Sequence, residues 1–190
     1  MSAQDQSNII KQVAVVILVT LFFMLSCTSN SIPNGQAVSK EKTTEEIDSQ
    51  FLVKAADINL AEIKYGQLAQ QKGSTLDIIK LGKMIETEHL KFYSALSLLA
   101  DNKSVTIPIF ASESAQNIFK QMSEKDGNSF DSTYSETVVN DHKSAIEIYK
   151  TAYNETNDEA LKAWIKLSLV GMNMHLQMAS ISIKKYGITE

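Results

Sequence analysis

Residues 82–99 carry Ile85, His89, Phe92, Leu96 and Leu99 at i, i+4, i+7, i+11 and i+14. That spacing draws one apolar stripe down an amphipathic helix, with a histidine inside it. The pattern recurs along the chain. The only three histidines, His89, His142 and His175, each fall in the inner stripe of a different predicted helix. Helices this long are allowed because Pro33 and Pro108 are the only prolines. No run of alternating β-branched residues argues for strands.

Four long helices follow from the periodicity. The first spans about 45 to 72, with Thr43 and Glu46 at capping-box spacing and Gly73 as its stop. Its inner stripe is Phe51, Ala55, Ile58, Glu62, Tyr65 and Ala69, so Glu62 interrupts it as His89 interrupts the next. The second spans about 75 to 100, with Ser74 as the expected N-cap. A loop runs to Pro108, which disfavours helix at Ile107. A short helix over about 112 to 122 then turns Ala115, Ile118, Phe119 and Met122 inward. The third long helix spans about 129 to 153, with Tyr134, Val138, His142, Ala145, Tyr149 and Ala152 inward and Asp141 on the flank. The fourth spans about 158 to 186 and ends at Gly187, with a second capping box expected from Thr156 and Glu159. Its stripe is Leu161, Ile165, Ser168, Met172, His175 and Ala179.

Helices of this length are each nearly 40 Å long and must lie side by side to bury their stripes. Short loops make the first and second, and the third and fourth, antiparallel neighbours. The expected fold is therefore all-α, a four-helix bundle over residues 45–187 with a short extra helix in its long middle connection.

The segment before the bundle reads differently. Residues 13–25 form an almost unbroken apolar run of roughly 13, preceded by Lys11 and ending Met24-Leu25-Ser26-Cys27. A bilayer span needs about 20 residues, so the run fits a signal peptide over 1–26 better than a transmembrane helix. A small residue before a cysteine at the end of such a run resembles a lipobox. Cys27 is then the expected lipidation site, and 27–44 a polar, flexible tether containing Pro33 and Gly35. A lipid-anchored location in the cell envelope follows, on the outer membrane and facing the periplasm, with the membrane as a partner through the lipid.

Composition closes several classes. Every basic residue is a lysine and net charge is -4. No guanidinium fork is available to read bases or clamp phosphates, so nucleic acid is not an expected partner. The single cysteine excludes an internal disulfide and a cysteine cage. No Gly-x-Ser-x-Gly elbow or glycine-rich phosphate loop is present. Protein partners are not legible.

Several stretches together are similar to the bacterial domain-of-unknown-function 4142 family. They are residues 51–62 (from Phe51-Leu-Val-Lys to Ala-Glu62), Tyr65-Gly-Gln-Leu-Ala, Glu88-His89, Val139-Asn-Asp141-His142 and His175-Leu-Gln-Met-Ala179. The resemblance covers about residues 51 to 184. It implies a ferritin-like four-helix bundle, often labelled an outer-membrane protein, with no settled activity. The family favours Asp-His at both acid-histidine pairs, whereas this chain has Glu88 at the first.

The inward polar residues admit two readings. Glu62, His89, His142 and His175 can converge as metal ligands from four helices, with Glu88 and Asp141 orienting imidazoles or adding oxygens. Nitrogen-rich donors of this kind suit zinc, iron(II), copper(II) or nickel(II). Alternatively Glu62 accepts from the imidazoles in a metal-free hydrogen-bond network that only fixes packing. A di-iron oxidase fits poorly. Glu86-x-x-His89 matches the Glu-x-x-His spacing, but Val139 and Met172 stand where the other helices would need Glu. Met172, His175 and Met178 share a face that copper(I) would accept, although methionines there serve more simply as core filler. Binding or sensing fits these residues better than turnover, and the competing class is a structural or interaction module of the envelope.

Overall fold

The computed structural model describes residues 42–185. Five helices account for the regular structure there: α1 (Thr44–Lys72), α2 (Leu76–Asn102), α3 (Glu113–Ser123), α4 (Gly127–Glu155) and α5 (Glu159–Lys185). No strand occurs among the described residues, and none of their helices is long and apolar enough to cross a membrane. The signal segment, Cys27 and Gly187 lie outside them.

Thr43 starts α1 as its spacing with Glu46 predicts. Glu46 N–H donates to Thr43 Oγ1 at 3.2 Å, and Thr43 N–H donates to Glu46 Oε2 at 2.8 Å. Two other starts differ from the sequence reading. Thr75, not Ser74, caps α2, because Ser74 is taken by Asp131 of α4. Asp158 caps α5 by accepting from Leu161 N–H at 2.8 Å. Thr156 instead closes α4 and accepts from Asp158 N–H.

The pairing of side chains fixes the topology. Phe51 and Asn59 of α1 meet Tyr149 of α4, while Glu62, further along α1, meets His142, earlier on α4. The two helices are therefore antiparallel. Trp164 of α5 donates to Phe92 O of α2, and Lys185 reaches Asp77, so α2 and α5 are antiparallel too. All four adjacent pairs run antiparallel, and α2 and α4 lie diagonally, pointing the same way. The chain must climb the length of the bundle, about 40 Å, between the end of α2 and the start of α4. Residues 103–126 do this with α3 laid along the second half of α1, where Tyr65 OH donates to Ala115 O and Lys72 pairs with Asp126. One long crossover of this kind is the connectivity of ferritin-like bundles.

Apolar residues fill two layers. One holds Leu52, Leu96, Tyr149, Leu161, Trp164 and Ile165; the other holds Leu68, Ile78, Leu81, Phe130, Tyr134 and Ala179. Ile58, Leu99, Ile118 and Phe119 are half-buried at the edges. Polar knots, each built on one buried aspartate, close both ends. Lys103 Nζ meets Asp158 at 2.5 Å and Asp48 at 3.5 Å, joining α1, α2 and α5. At the other end Asp131 accepts from Ser74 N–H, Ser74 Oγ and Thr75 N–H. Gly66 and Gly82 let α1 and α2 touch backbone to backbone, since a Cβ on Gly66 would lie 2.6 Å from Gly82 O.

Candidate metal centre

Between the two apolar layers lies a polar one. Ile85 and Phe92 flank His89, Val138 and Ala145 flank His142, Met172 and Ala179 flank His175, and Ala55 and Tyr65 flank Glu62. Each polar residue sits near the middle of its helix, so the antiparallel packing brings all four to one level. The three imidazoles have ring centroids 5.2, 5.3 and 5.6 Å apart, a nearly equilateral triangle. One nitrogen from each lies within 4.8 Å of the others, and all three residues are buried.

The hydrogen-bond network assigns which nitrogens face inward. Asn59 Nδ2 donates to Ala55 O at 2.7 Å, which leaves Oδ1 to accept from His89 Nδ1–H at 2.9 Å. His89 Nε2 therefore carries a lone pair, and no group pairs with it. His142 Nδ1 stands 3.0 Å from Val138 O and 3.3 Å from Glu62 Oε1. Both are acceptors, so Nδ1 bears the hydrogen and Nε2 turns toward the cluster. His175 Nε2 lies 3.1 Å from Glu88 Oε2, a close electrostatic contact that lacks hydrogen-bond geometry. Its Nδ1 then faces His142 Nε2 at 3.1 Å. Two rings are thus hydrogen-bonded from outside and the third faces a carboxylate there, which leaves three ring nitrogens for the centre.

Electrostatics sorts the rings. Burial pushes His89 well below its ordinary value of 6.5, and the other two imidazoles add to this. Burial, then His142, brings His175 down to about 3. Burial also pulls on His142, but the Glu62 carboxylate, Val138 O and Asp141 outweigh it and raise it above 6.5. Two rings are therefore neutral ligands in waiting, and His142 is the one that takes a proton. Burial, then Glu62, pushes Asp141 up to about 6.

Glu62 is buried behind His142, outside the nitrogen triangle, and its Oε2 has no hydrogen-bond partner. Glu88 holds His175 from the outer face, while Asp141 is half-buried on the flank. Glu86, whose spacing to His89 has a di-iron look, is turned away and accepts from Gln67 and Gln70. Met172 and Met178 pack into the apolar layers. The sequence reading missed two residues. Asn59, three positions before Glu62, sets the His89 tautomer. Gly171 leaves the space that Glu88 uses, since a Cβ there would lie 2.8 Å from Glu88 Oε2 and 2.8 Å from Phe92 Cζ. A glycine in mid-helix with no turn beside it was the available signal.

No curated protein and no solved structure matches the chain. A family profile described as a domain of unknown function, DUF4142, matches residues 33–181, and the chain belongs to that family.

Proposed function

We propose that this protein is a lipid-anchored component of the cell envelope whose bundle core binds one divalent transition metal ion on His89, His142 and His175. One observation carries the reading. Three buried imidazoles each face an oxygen on the outer side, by hydrogen bond at His89 and His142 and by a 3.1 Å contact at His175, and one nitrogen from each lies within 4.8 Å of the others. That is how proteins prepare histidine ligands. Two nitrogens at ~2.0–2.1 Å from one tetrahedral ion stand roughly 3.4 Å apart, close to the 3.1 Å between His142 and His175. Neutral nitrogen donors suit zinc, iron(II) or copper(II). Glu62 stays near as a counter-charge and candidate oxygen ligand, and Glu88 faces His175 from the outer side. The role is binding or sensing, since no nucleophile or carboxylate-rich redox set accompanies the histidines. The apolar run ending at Ser26-Cys27, with a polar stretch after it, supports the anchor.

A second reading has its own observation. At 3.1 Å, His142 Nε2 and His175 Nδ1 can share a proton without any metal. A protonated His142 then links Glu62 to His175, and the layer is a packing device. It leaves His89 Nε2 unpaired.

Mass spectrometry of the full chain, purified without chelator and exposed to zinc, copper and iron(II), decides between them. The expected result is close to one ion per chain, lost in the double variant His89→Ala/His142→Ala, with an acyl adduct on Cys27 in the intact mass. Absence of metal under every loading leaves the hydrogen-bonded core as the function of the layer. An unmodified Cys27 with the leader still attached overturns the anchor.

A further inference from the structure

A cleft of about 180 Å³ opens beneath the start of α3 and reaches Glu62. Its charged walls are Lys54, Asp57, Asp141 and Glu62, three carboxylates against one ammonium. Lys54 is exposed, Asp57 and Asp141 are half-buried, and Glu62 is 2% exposed, so the charge runs inward from solvent to the histidine layer. Asp57 is already engaged, accepting from Ser112 N–H at 2.7 Å. Glu62 is only half engaged. Its Oε1 meets His142, and its Oε2 is a buried carboxylate oxygen with no partner. Such an atom costs free energy unless something positive reaches it. Two larger cavities, one apolar and walled by Leu60, Phe110 and Phe119, the other by Lys42 and Phe51, touch none of the polar-layer residues.

We propose that this cleft is the access route of a divalent cation to the three histidines, with Asp141 drawing the ion in and Glu62 receiving it at the inner end. The inference rests on the metal-binding reading above. A narrow, negatively lined cleft with apolar surroundings concentrates cations and raises their association rate, and salt weakens the effect. Lys54 opposes the same field. The two charges therefore offer variants of opposite sign at one opening, and neither residue has a hydrogen bond that the substitution would remove.

Cobalt(II) is the probe, because its visible absorption reports nitrogen coordination as the site fills. With the full chain in a nonionic detergent, stopped-flow mixing reads the rate. Asp141→Asn is expected to fill roughly tenfold more slowly, and Lys54→Gln two- to threefold faster, both reaching wild-type occupancy at saturating cobalt. The salt dependence should be shallower in Asp141→Asn. Wild-type rates in both variants overturn the route while leaving the site intact. A wild-type chain that takes up no cobalt overturns the site, and the route falls with it.

Discussion

The two apolar layers and the polar layer between them use the same four helices but are satisfied differently. In the apolar layers the few polar atoms mostly find partners: Trp164 Nε1–H donates to Phe92 O, and Tyr65 OH donates to Ala115 O. In the polar layer Glu62 Oε2, His89 Nε2 and His175 Nε2 are left without a hydrogen bond, three of five such buried atoms among the described residues. Each costs about 1–3 kcal/mol when nothing reaches it. The apolar layers therefore hold the bundle together, and the polar layer lowers its stability in exchange for three aimed nitrogens. A layer that only specified packing would close its own hydrogen bonds.

The largest effect that tests this division lies in an apolar layer. Leu96 is fully buried and two helical turns from His89. Leu96→Ala removes core volume that the surrounding helices cannot fully refill, and unfolding should become easier by about 3–4 kcal/mol. Metal affinity should stay within a few-fold of the parent. Denaturant unfolding and metal titration on one preparation read both. Lost metal binding in a still-folded Leu96→Ala would show that the layers are not independent.

Acid comes next and, between pH 6.5 and 4.5, acts chiefly on the polar layer. His89 and His175 are held neutral, His175 down to about 3, whereas the unfolded chain protonates them near 6.5. The unfolded state thus binds more protons below 6.5, and stability falls as pH drops from there toward 3. His142 and Asp141 run the other way. The raised His142 contributes stability that is full below 6.5 and is lost as pH rises through its folded value. Asp141, pushed up to about 6 from 3.8, regains stability as pH falls across that interval. The two depressed imidazoles outweigh the pair, so metal-free protein should lose roughly 2 kcal/mol between pH 6.5 and 4.5. The loss should shrink in His175→Gln. An equal loss in that variant would place the acid sensitivity outside the polar layer.

Much of the frame is legible in the sequence because helix periodicity is local. The stripes through Ile85 and Phe92, or through Tyr134 and Tyr149, name the buried faces directly, and Thr43 with Glu46 names a start. What the sequence leaves open depends on partners far along the chain. Ser74 loses its capping role to Thr75 because Asp131, on another helix, takes its hydroxyl. That His89, His142 and His175 share one level depends on the antiparallel register, which the crossover through α3 sets. The two acids also separate in space. Glu62 lies in its own stripe and Glu88 beside the next, and neither position names its ring: Glu62 stands behind His142 and Glu88 behind His175. Asn59 escapes notice because the expected stripe passes through its neighbour Ile58, which is only half-buried, while Asn59 is the residue turned fully inward.

The smallest expected effect is the sharpest on the polar layer, because it changes no ligand. Gly171 faces Glu88 and Phe92 with no side chain, and that gap lets the Glu88 carboxylate stand 3.1 Å from His175 Nε2. Gly171→Ala would set a methyl group 2.8 Å from Glu88 Oε2 and 2.8 Å from Phe92 Cζ, closer than either contact tolerates. Glu88 is half-buried and on a flexible stem, so it is the group that yields, and it swings off the imidazole. The gain in helix propensity from glycine to alanine, up to ~1 kcal/mol, offsets part of the crowding, and overall stability should change little. His175 then loses the carboxylate whose charge favours hydrogen on Nε2, and Nδ1 no longer faces the cluster as a dedicated lone pair. Losing such an outer partner weakens metal binding by about 10–100-fold. The lower end is expected here because the other two rings keep theirs. Zinc titration by calorimetry reads the change, and Glu88→Gln, which can still accept a hydrogen bond, should fall between the parent and Gly171→Ala. Unchanged affinity in Gly171→Ala would mean that His175 is oriented by its packing alone, and the polar layer would then differ less from its apolar neighbours than its hydrogen bonds suggest.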